Sequence, residues 1–144
     1  LTEIGEVHLW KLAIKPGKPF GWGKAGNAHV FMLPGNPVAT FVTFFMLALP
    51  AMRKLMGQSQ CAPAALRAQA AFSRSKLETR REFLRGTLQV NAQGVWQVQV
   101  PQGQGSHMLA ACVQANVLVE VAPNTAVAEG DTVPVFLLPN KGWL

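Results

Sequence analysis

A lysine-rich loop contains the residues whose types and spacing are best suited to chemistry. Lys15-Pro16-Gly17-Lys18-Pro19 carries two ammonium groups on a stiff loop, and Lys11 lies four residues before Lys15. Residues four apart in a strand share one face, so Lys11 and Lys15 are predicted to project towards the same ligand. Lysines are point charges suited to phosphate, and ligands of open α/β sheets bind at the carboxyl ends of strands. The alternative is a solvated lysine-rich edge.

A second loop, Leu33-Pro34-Gly35-Asn36-Pro37, follows about 15 residues later. Asn36 is a good N-cap and Pro37 suits the first helical position, so a helix is predicted to begin here. Exposed amides and the positive dipole end of a helix favour an anion. If the two loops follow adjacent strands of one sheet, they form a shared pocket for an anionic ligand. The alternative is a structural turn with an N-cap.

The elements that must position these loops follow from periodicity and turn residues. A strand is predicted over 7–14, with Lys15 extended because it precedes a proline. Phe20–Lys24 and His29–Leu33 flank Gly26-Asn27 and predict a hairpin. The helix from Pro37 is predicted to run to about Met56 and to stop at Gly57.

This helix is apolar nearly all round, which allows two interpretations. A membrane span is disfavoured, because Thr40, Thr43 and Pro50 interrupt the run and it falls short of the ~20 apolar residues that a bilayer requires. A helix buried in a large core is favoured.

The second half of the chain changes character. Residues 58–66 are predicted to form a linker between an α/β part (1–57) and a β domain (67–144). Five strands in about 75 residues predict a small antiparallel barrel or sandwich. The predicted strands are Ala68–Phe72, Glu82–Val90, Val95–Val100, Met108–Ala122 and Val133–Leu138.

Composition limits the classes of function. The net charge of +6 indicates an acidic partner: nucleic acid, an anionic membrane or a phosphorylated small molecule. The basic stretch 67–85 lacks the aromatic platform of single-strand binders, which disfavours nucleic acid. Cys61 and Cys112 match no metal-ligand spacing, and no signal peptide is recognisable, so reduced thiols in a cytoplasmic protein are expected. The start at Leu1, without Met, suggests a fragment.

Taken together, these motifs resemble the molybdopterin molybdenumtransferases, to which gephyrin's C-terminal region is related. The matching segments are Leu9–Phe20 and Leu33–Val38 in the α/β part, and Phe83-Leu84-Arg85-Gly86, Gln104–Met108 and Ala115-Asn116 in the second half. The resemblance covers essentially the whole chain. It implies the end of a catalytic α/β domain followed by a C-terminal β-barrel domain.

The resemblance implies an enzyme that hydrolyses adenylylated molybdopterin with a divalent ion such as Mg²⁺, releases AMP and inserts molybdenum from molybdate. Lys15 and Lys18 would then be catalytic, and the pterin-binding residues would include Lys11, Lys15 and Lys18. The loop Pro34, Gly35, Asn36 and Pro37 would shape the pocket. Ser106 and His107 would contact ligand in trans within a homodimer, or else they only stabilise their own loop. The pterin-adenylylating protein that acts just before would be a partner.

Two departures limit what the resemblance implies. Ala39 stands where the family often has Ser, and the family's acidic metal ligands lie upstream of Leu1. Glu3 and Glu6 are the only nearby acids, so no metal ligand is assigned in this chain, and the chain alone is expected to be inactive. The alternative function is a gephyrin-like scaffold that binds a partner peptide. A lysine cluster around an anion would favour the enzyme, and an apolar groove lined by Phe or Met near the domain junction would favour the scaffold.

Overall fold

The computed structural model describes residues 2–103 and 109–139. The strands are β1 (Glu6–Trp10), β2 (Ile14–Lys15), β3 (Gly21–Ala25), β4 (Ala28–Met32), β5 (Ala65–Ala70), β6 (Arg81–Val90), β7 (Trp96–Gln99), β8 (Val117–Val121) and β9 (Thr132–Leu137). The helices are α1 (Pro37–Thr43), a π-helical segment (Phe44–Ala48), α2 (Leu49–Leu55) and α3 (Leu109–Gln114).

The first sheet has the order β1-β3-β4, with both strand pairs antiparallel. β3 and β4 form the predicted hairpin, in which Ala25 pairs with Ala28 and Gly26 turns the chain with φ 57°. That backbone conformation is open to glycine at no steric cost. The hairpin prediction is therefore confirmed.

The predicted strand over 7–14 is wrong in its second half. β1 ends at Trp10, because Lys11 has a left-handed backbone (φ 62°) and its amide donates to the Phe20 carbonyl at 3.0 Å. The chain then leaves the first sheet. Ile14 and Lys15 pair in parallel with Arg81 and Glu82 of β6. Lys11 and Lys15 therefore do not share the face of one strand.

The helix begins and ends where the sequence predicts. The Asn36 side chain accepts hydrogen bonds from the amides of Val38 (3.0 Å) and Ala39 (3.2 Å). Gly57 terminates the helix with φ 83°. Pro50 cannot donate to the helix ladder and would crowd the preceding turn, and the wider π-helical turn before it accommodates this.

The helix is less buried than predicted. Val38, Val42 and Thr43 are buried, whereas Met52 and Leu55 are 40% and 53% exposed. By length and composition alone, Pro37–Leu55 would suffice to cross a membrane. Its buried face nevertheless packs against strands β6 and β8, where Val42 contacts Phe83 and Leu118.

The second sheet closes into a five-stranded barrel in the order β6-β7-β5-β9-β8, with β8 returning to β6. The small barrel predicted from the sequence is therefore confirmed. Its strands are antiparallel except for β5 and β7, which pair in parallel. β5 begins at Ala65, inside the range predicted as a linker. The interior is filled by aliphatic side chains, and Val98, Val117, Val119 and Val135 have no exposed surface.

One predicted strand, Met108–Ala122, is wrong over its first half. Residues Leu109–Gln114 form α3, and β8 begins only at Val117. The Asn116 side chain separates the two elements, because it accepts from the Leu88 amide at 2.7 Å and donates to the Leu88 carbonyl at 3.0 Å. The alanines of this segment also favour a helix.

Candidate active site

One edge of the first sheet brings the two loops together. Trp10, the last residue of β1, pairs with Gly21, the first of β3, and Gly21 pairs with Met32, the last of β4. Lys11, the loop 16–20 and the loop 33–37 therefore all emerge at the same edge. The two loops meet at the same end of the first sheet, but the prediction that they follow adjacent strands is wrong. The lysine-rich loop follows β2, which pairs with β6, and leads into β3, whereas the loop 33–37 follows β4.

The lysine-rich loop is packed against the helix. Gly17 has φ 121°, and a Cβ added there would lie 2.3 Å from Cγ2 of Thr43 on α1. The Leu12 amide donates to the Lys18 carbonyl at 2.8 Å, and the Phe20 amide donates to the Gly17 carbonyl at 3.1 Å. Only a glycine fits this close approach. The loop is thus fixed on the helix that the second loop caps.

The three lysines have different environments. Lys11 and Lys18 are exposed, and no acidic partner contacts them among the described residues. The half-buried Lys15 extends towards the barrel instead. Its Nζ lies 2.7 Å from Oε2 of Glu78, to which it donates a hydrogen bond, and 3.7 Å from Oε2 of Glu82. The structure therefore does not bring the three ammonium groups together as free charges.

Two arginines complete a charged cluster at this junction. Nη2 of Arg74 lies 2.7 Å from Oε1 of Glu82 and donates to Oε2 at 2.9 Å. Nε of Arg80 lies 3.9 Å from Oε1 of Glu78, and Nη1 of Arg80 donates to the Ile14 carbonyl at 3.3 Å. The hydrogen bond from Lys15, opposed by burial, lowers the pKa of Glu78 below its usual value.

The sequence did not reveal this cluster. Lys15 and Glu78 are 63 residues apart, and only the parallel pairing of β2 with β6 brings them into contact. One signal was available. Glu82 lies near the start of a predicted strand and is followed directly by the apolar pair Phe83-Leu84, and a carboxylate that is buried with them requires a cationic partner.

The backbone amides that follow the second loop donate hydrogen bonds to acceptors within the loop itself. Beyond the two amides bonded to the Asn36 side chain, the Thr40 amide donates to the Asn36 carbonyl at 2.8 Å. The Thr40 hydroxyl donates to the carbonyls of Pro34 and Asn36. The expectation of exposed first-turn amides ready for an anion is therefore wrong. Pro34 is buried, while Gly35, Asn36 and Pro37 are exposed at the sheet edge, where they can line a pocket.

The basic stretch 67–85 does not form a continuous cationic surface. Arg74, Arg80 and Arg81 contact Glu82, Glu78 and Glu120, respectively. Arg85 is 1% exposed, and burial lowers its pKa. Much of the positive charge of this stretch is therefore balanced locally.

An open groove of about 400 Å³ runs between the helix and the barrel. Its walls include Phe45, Met46 and Leu49 from the helix and Phe136 and Leu138 from the barrel, with Arg53 at the side. This is the kind of apolar groove at the domain junction that a bound peptide requires.

Ser106 and His107 lie outside the described residues. Over residues 2–103 and 109–139, no group of three or more His, Cys, Asp or Glu side chains is arranged to hold a metal ion. Residues in this part of the chain thus do not fit a resident divalent cation.

Family models match both halves of the chain. Residues 67–138, half of the sequence, match the MoeA C-terminal region (domain IV), and residues 1–54 match a probable molybdopterin binding domain. A molybdopterin molybdenumtransferase from Haemophilus influenzae is 42% identical over 137 residues, covering 94% of this chain and 34% of the relative. Gephyrin from Dictyostelium discoideum is 40% identical over 73 residues, covering 40% of this chain and 10% of that protein.

A solved structure agrees with these matches. The molybdopterin biosynthesis MoeA protein from Pyrococcus horikoshii superposes with a TM-score of 0.74 at 25% identity, covering 92% of this chain and 33% of that one. The chain thus spans about a third of the length of the Haemophilus relative and of this structure. The resemblance seen in the motifs is confirmed, and this chain belongs to the MoeA family, with its second half forming the family's C-terminal region, domain IV.

Proposed function

We propose that this chain forms the lysine-bearing part of the active site of a molybdopterin molybdenumtransferase. That enzyme takes adenylylated molybdopterin and molybdate, inserts molybdenum at the dithiolene and releases AMP. The observation that supports the proposal is the shared sheet edge, where Lys11 and the loop 16–20, which contains Lys18, emerge beside the loop 33–37. Lys15 immediately precedes the loop 16–20 and lies on β2, next to β6. The family membership supplies the substrate class.

The lysines are assigned by charge and exposure. Lys11 and Lys18, which are exposed, bind the phosphate or molybdate oxygens from the solvent side. Lys15 approaches from the barrel side. As water attacks one phosphorus of the pyrophosphate link, the P–O bond to the bridging oxygen breaks. Negative charge grows on that oxygen of the leaving phosphate, and Lys15 and Lys18 stabilise it. Pro34, Gly35, Asn36 and Pro37 shape the same pocket, because their loop leaves β4 next to the start of β3.

Further partners belong to this proposal. The Mg²⁺ that promotes the hydrolysis is assigned to residues other than those at 2–103 and 109–139, where no group of three or more His, Cys, Asp or Glu side chains is arranged to hold a metal ion. In a homodimer, Ser106 and His107 of one subunit contact the ligand bound by the other. The substrate comes from the protein that adenylylates the pterin, and both proteins work in the cytoplasm.

A second function is supported by the groove between the helix and the barrel. Its Phe and Met lining suits an apolar peptide side chain, as a gephyrin-like scaffold would require. The two functions use different residues, because Lys11, Lys15 and Lys18 are not among those that line the groove.

The test is Lys15→Ala in the parent enzyme, with Lys24→Ala as the matched control. Lys24 is an exposed lysine on the same sheet, near the far end of β3, where it pairs with Glu6. Removing a charge-assisted contact should raise the apparent Kd for molybdate or the adenylylated pterin by about tenfold or more, while Lys24→Ala has no effect. Equal cofactor insertion by Lys15→Ala and the wild type would refute the assignment, as would equal losses in both variants.

A further inference from the structure

The contacts of Lys15 with Glu78 and Glu82 restrict the conformation of its side chain. A lysine side chain has four rotatable bonds, and fixing them costs conformational entropy that weakens any contact made by a free ammonium. The hydrogen bond from Lys15 to Glu78 meets that cost before a ligand arrives. A group ordered in advance binds more tightly than a mobile one of equal charge.

The carboxylates that hold Lys15 are themselves fixed. Glu82 is 3% exposed, belongs to β6 and forms an ion pair with Arg74. Glu78 has its backbone carbonyl held by the Asn124 amide at 2.7 Å. The register of β2 on β6 sets Lys15 directly beside Glu82. The ammonium is therefore held against a rigid surface.

The hydrogen bond to Glu78 leaves Lys15 able to bind an anion as well. An ammonium has three N–H donors, of which Glu78 accepts one, and Glu82 at 3.7 Å is beyond hydrogen-bond distance. The side chain of Lys15 is 32% exposed. The cluster of Lys15, Arg74, Arg80, Glu78 and Glu82 sums to three positive and two negative charges, which leaves +1.

We propose that Glu78 is a positioning residue for Lys15, and that the ion pair between the buried Glu82 and Arg74 supports both residues. Through Glu78, the barrel sets the place of an ammonium that belongs to the α/β part. This inference rests on the proposed function, because it assigns Lys15 an anionic ligand.

The experiment uses the 144-residue chain and inorganic pyrophosphate as the probe. Glu78→Gln and Glu78→Ala remove the same charge, but only Gln retains an acceptor for Lys15. The difference between the two variants therefore isolates positioning from electrostatics. Glu129→Gln, which removes an exposed carboxylate that does not contact Lys15, is the charge control. Calorimetry gives the affinity, and ¹⁵N spectra of the lysine ammonium groups, assigned with Lys15→Arg, report the order of Lys15.

We expect Glu78→Gln to bind pyrophosphate about fivefold more tightly than Glu78→Ala. The free-energy difference that corresponds to this ratio is smaller than the conformational entropy cost of ordering a lysine side chain. The Lys15 ammonium signal should be visible in the wild type and lost in Glu78→Ala. Equal affinities of the two variants, when Lys15→Ala binds more weakly than the wild type, overturn the positioning role alone. A Lys15→Ala variant that binds like the wild type overturns the proposed function as well. An unchanged Lys15 signal in Glu78→Ala overturns the positioning role whatever the affinities are.

Discussion

Replacing Glu82 with Gln should destabilise the protein by about 2 kcal/mol, although it changes only one atom of the side chain. The carboxylate is 3% exposed and contacts two cations, Arg74 and Lys15. Breaking a fully buried ion pair from one side costs about 3–5 kcal/mol, whereas an exposed pair is worth about 0–1 kcal/mol. The Arg74 and Lys15 side chains are 20% and 32% exposed, so both can recover some hydration. Nε of Arg74 is also buried without a hydrogen-bond partner, which lowers the net value of the pair.

Urea unfolding and thermal melting measure this loss. For a chain of this size, about 2 kcal/mol corresponds to a fall in Tm of roughly 6–10 °C. Glu120→Gln is the matched control, because Glu120 pairs with Arg81, whose side chain is 48% exposed, and its loss should stay below about 1 kcal/mol. In a double-mutant cycle, Arg74→Met combined with Glu82→Gln should recover most of the cost, since no unpaired buried charge is left. The reasoning is refuted if Glu82→Gln is as stable as Glu120→Gln, or if the cycle shows no coupling.

Three further predictions follow from single residues. Gly17→Ala should lower the free energy of unfolding by about 2 kcal/mol or more, because φ 121° is strained for alanine and its Cβ would overlap Thr43; an unchanged urea midpoint would contradict this. Leu118→Ala should cost about 2–5 kcal/mol, because Leu118 has no exposed surface, while the half-exposed Leu55→Ala should cost much less in the same assay. The lowered pKa of Glu78 means that its ionised form stabilises the fold above the usual pKa of 4.5 and that this contribution is lost as the pH falls through the lowered value. The stability difference between the wild type and Glu78→Gln should therefore be present at pH 7 and shrink in acid, and a difference that does not change with pH would refute this.

Local features of the fold could be predicted because their causes lie within a few residues. The Asn36 cap, the turn at Gly26 and the stop at Gly57 each depend on one side chain or on one backbone angle. The barrel was predictable as a class because strand periodicity and turn residues recur along 65–137. The order of its strands was not, because the parallel pairing of β5 with β7 joins segments that are not consecutive.

The candidate site could be predicted only in part, for a similar reason. The two loops were identified from proline, glycine and lysine spacing, and the hairpin between them brought them to one edge. The partners of Lys15 were not identified, because Glu78 and Glu82 contact it through a pairing across more than 60 residues. The break at Lys11 was also missed. A single residue with φ 62° is enough to redirect a strand, and lysine gives no sign of it.

The start of β6 explains why the two parts of the chain act as one unit. Glu82 lies there beside Lys15 of the first loop, and the next residue, Phe83, which projects from the opposite face of the strand, meets Val42 of the helix. An ionic contact and an apolar contact thus attach the two loop-bearing elements to the same strand. Neither β2, with two residues, nor one helix face would hold the loops alone. Because both attachments share one strand, a change that moves β6 should alter the lysine loop and the helix together, and the barrel is then a determinant of the site's geometry.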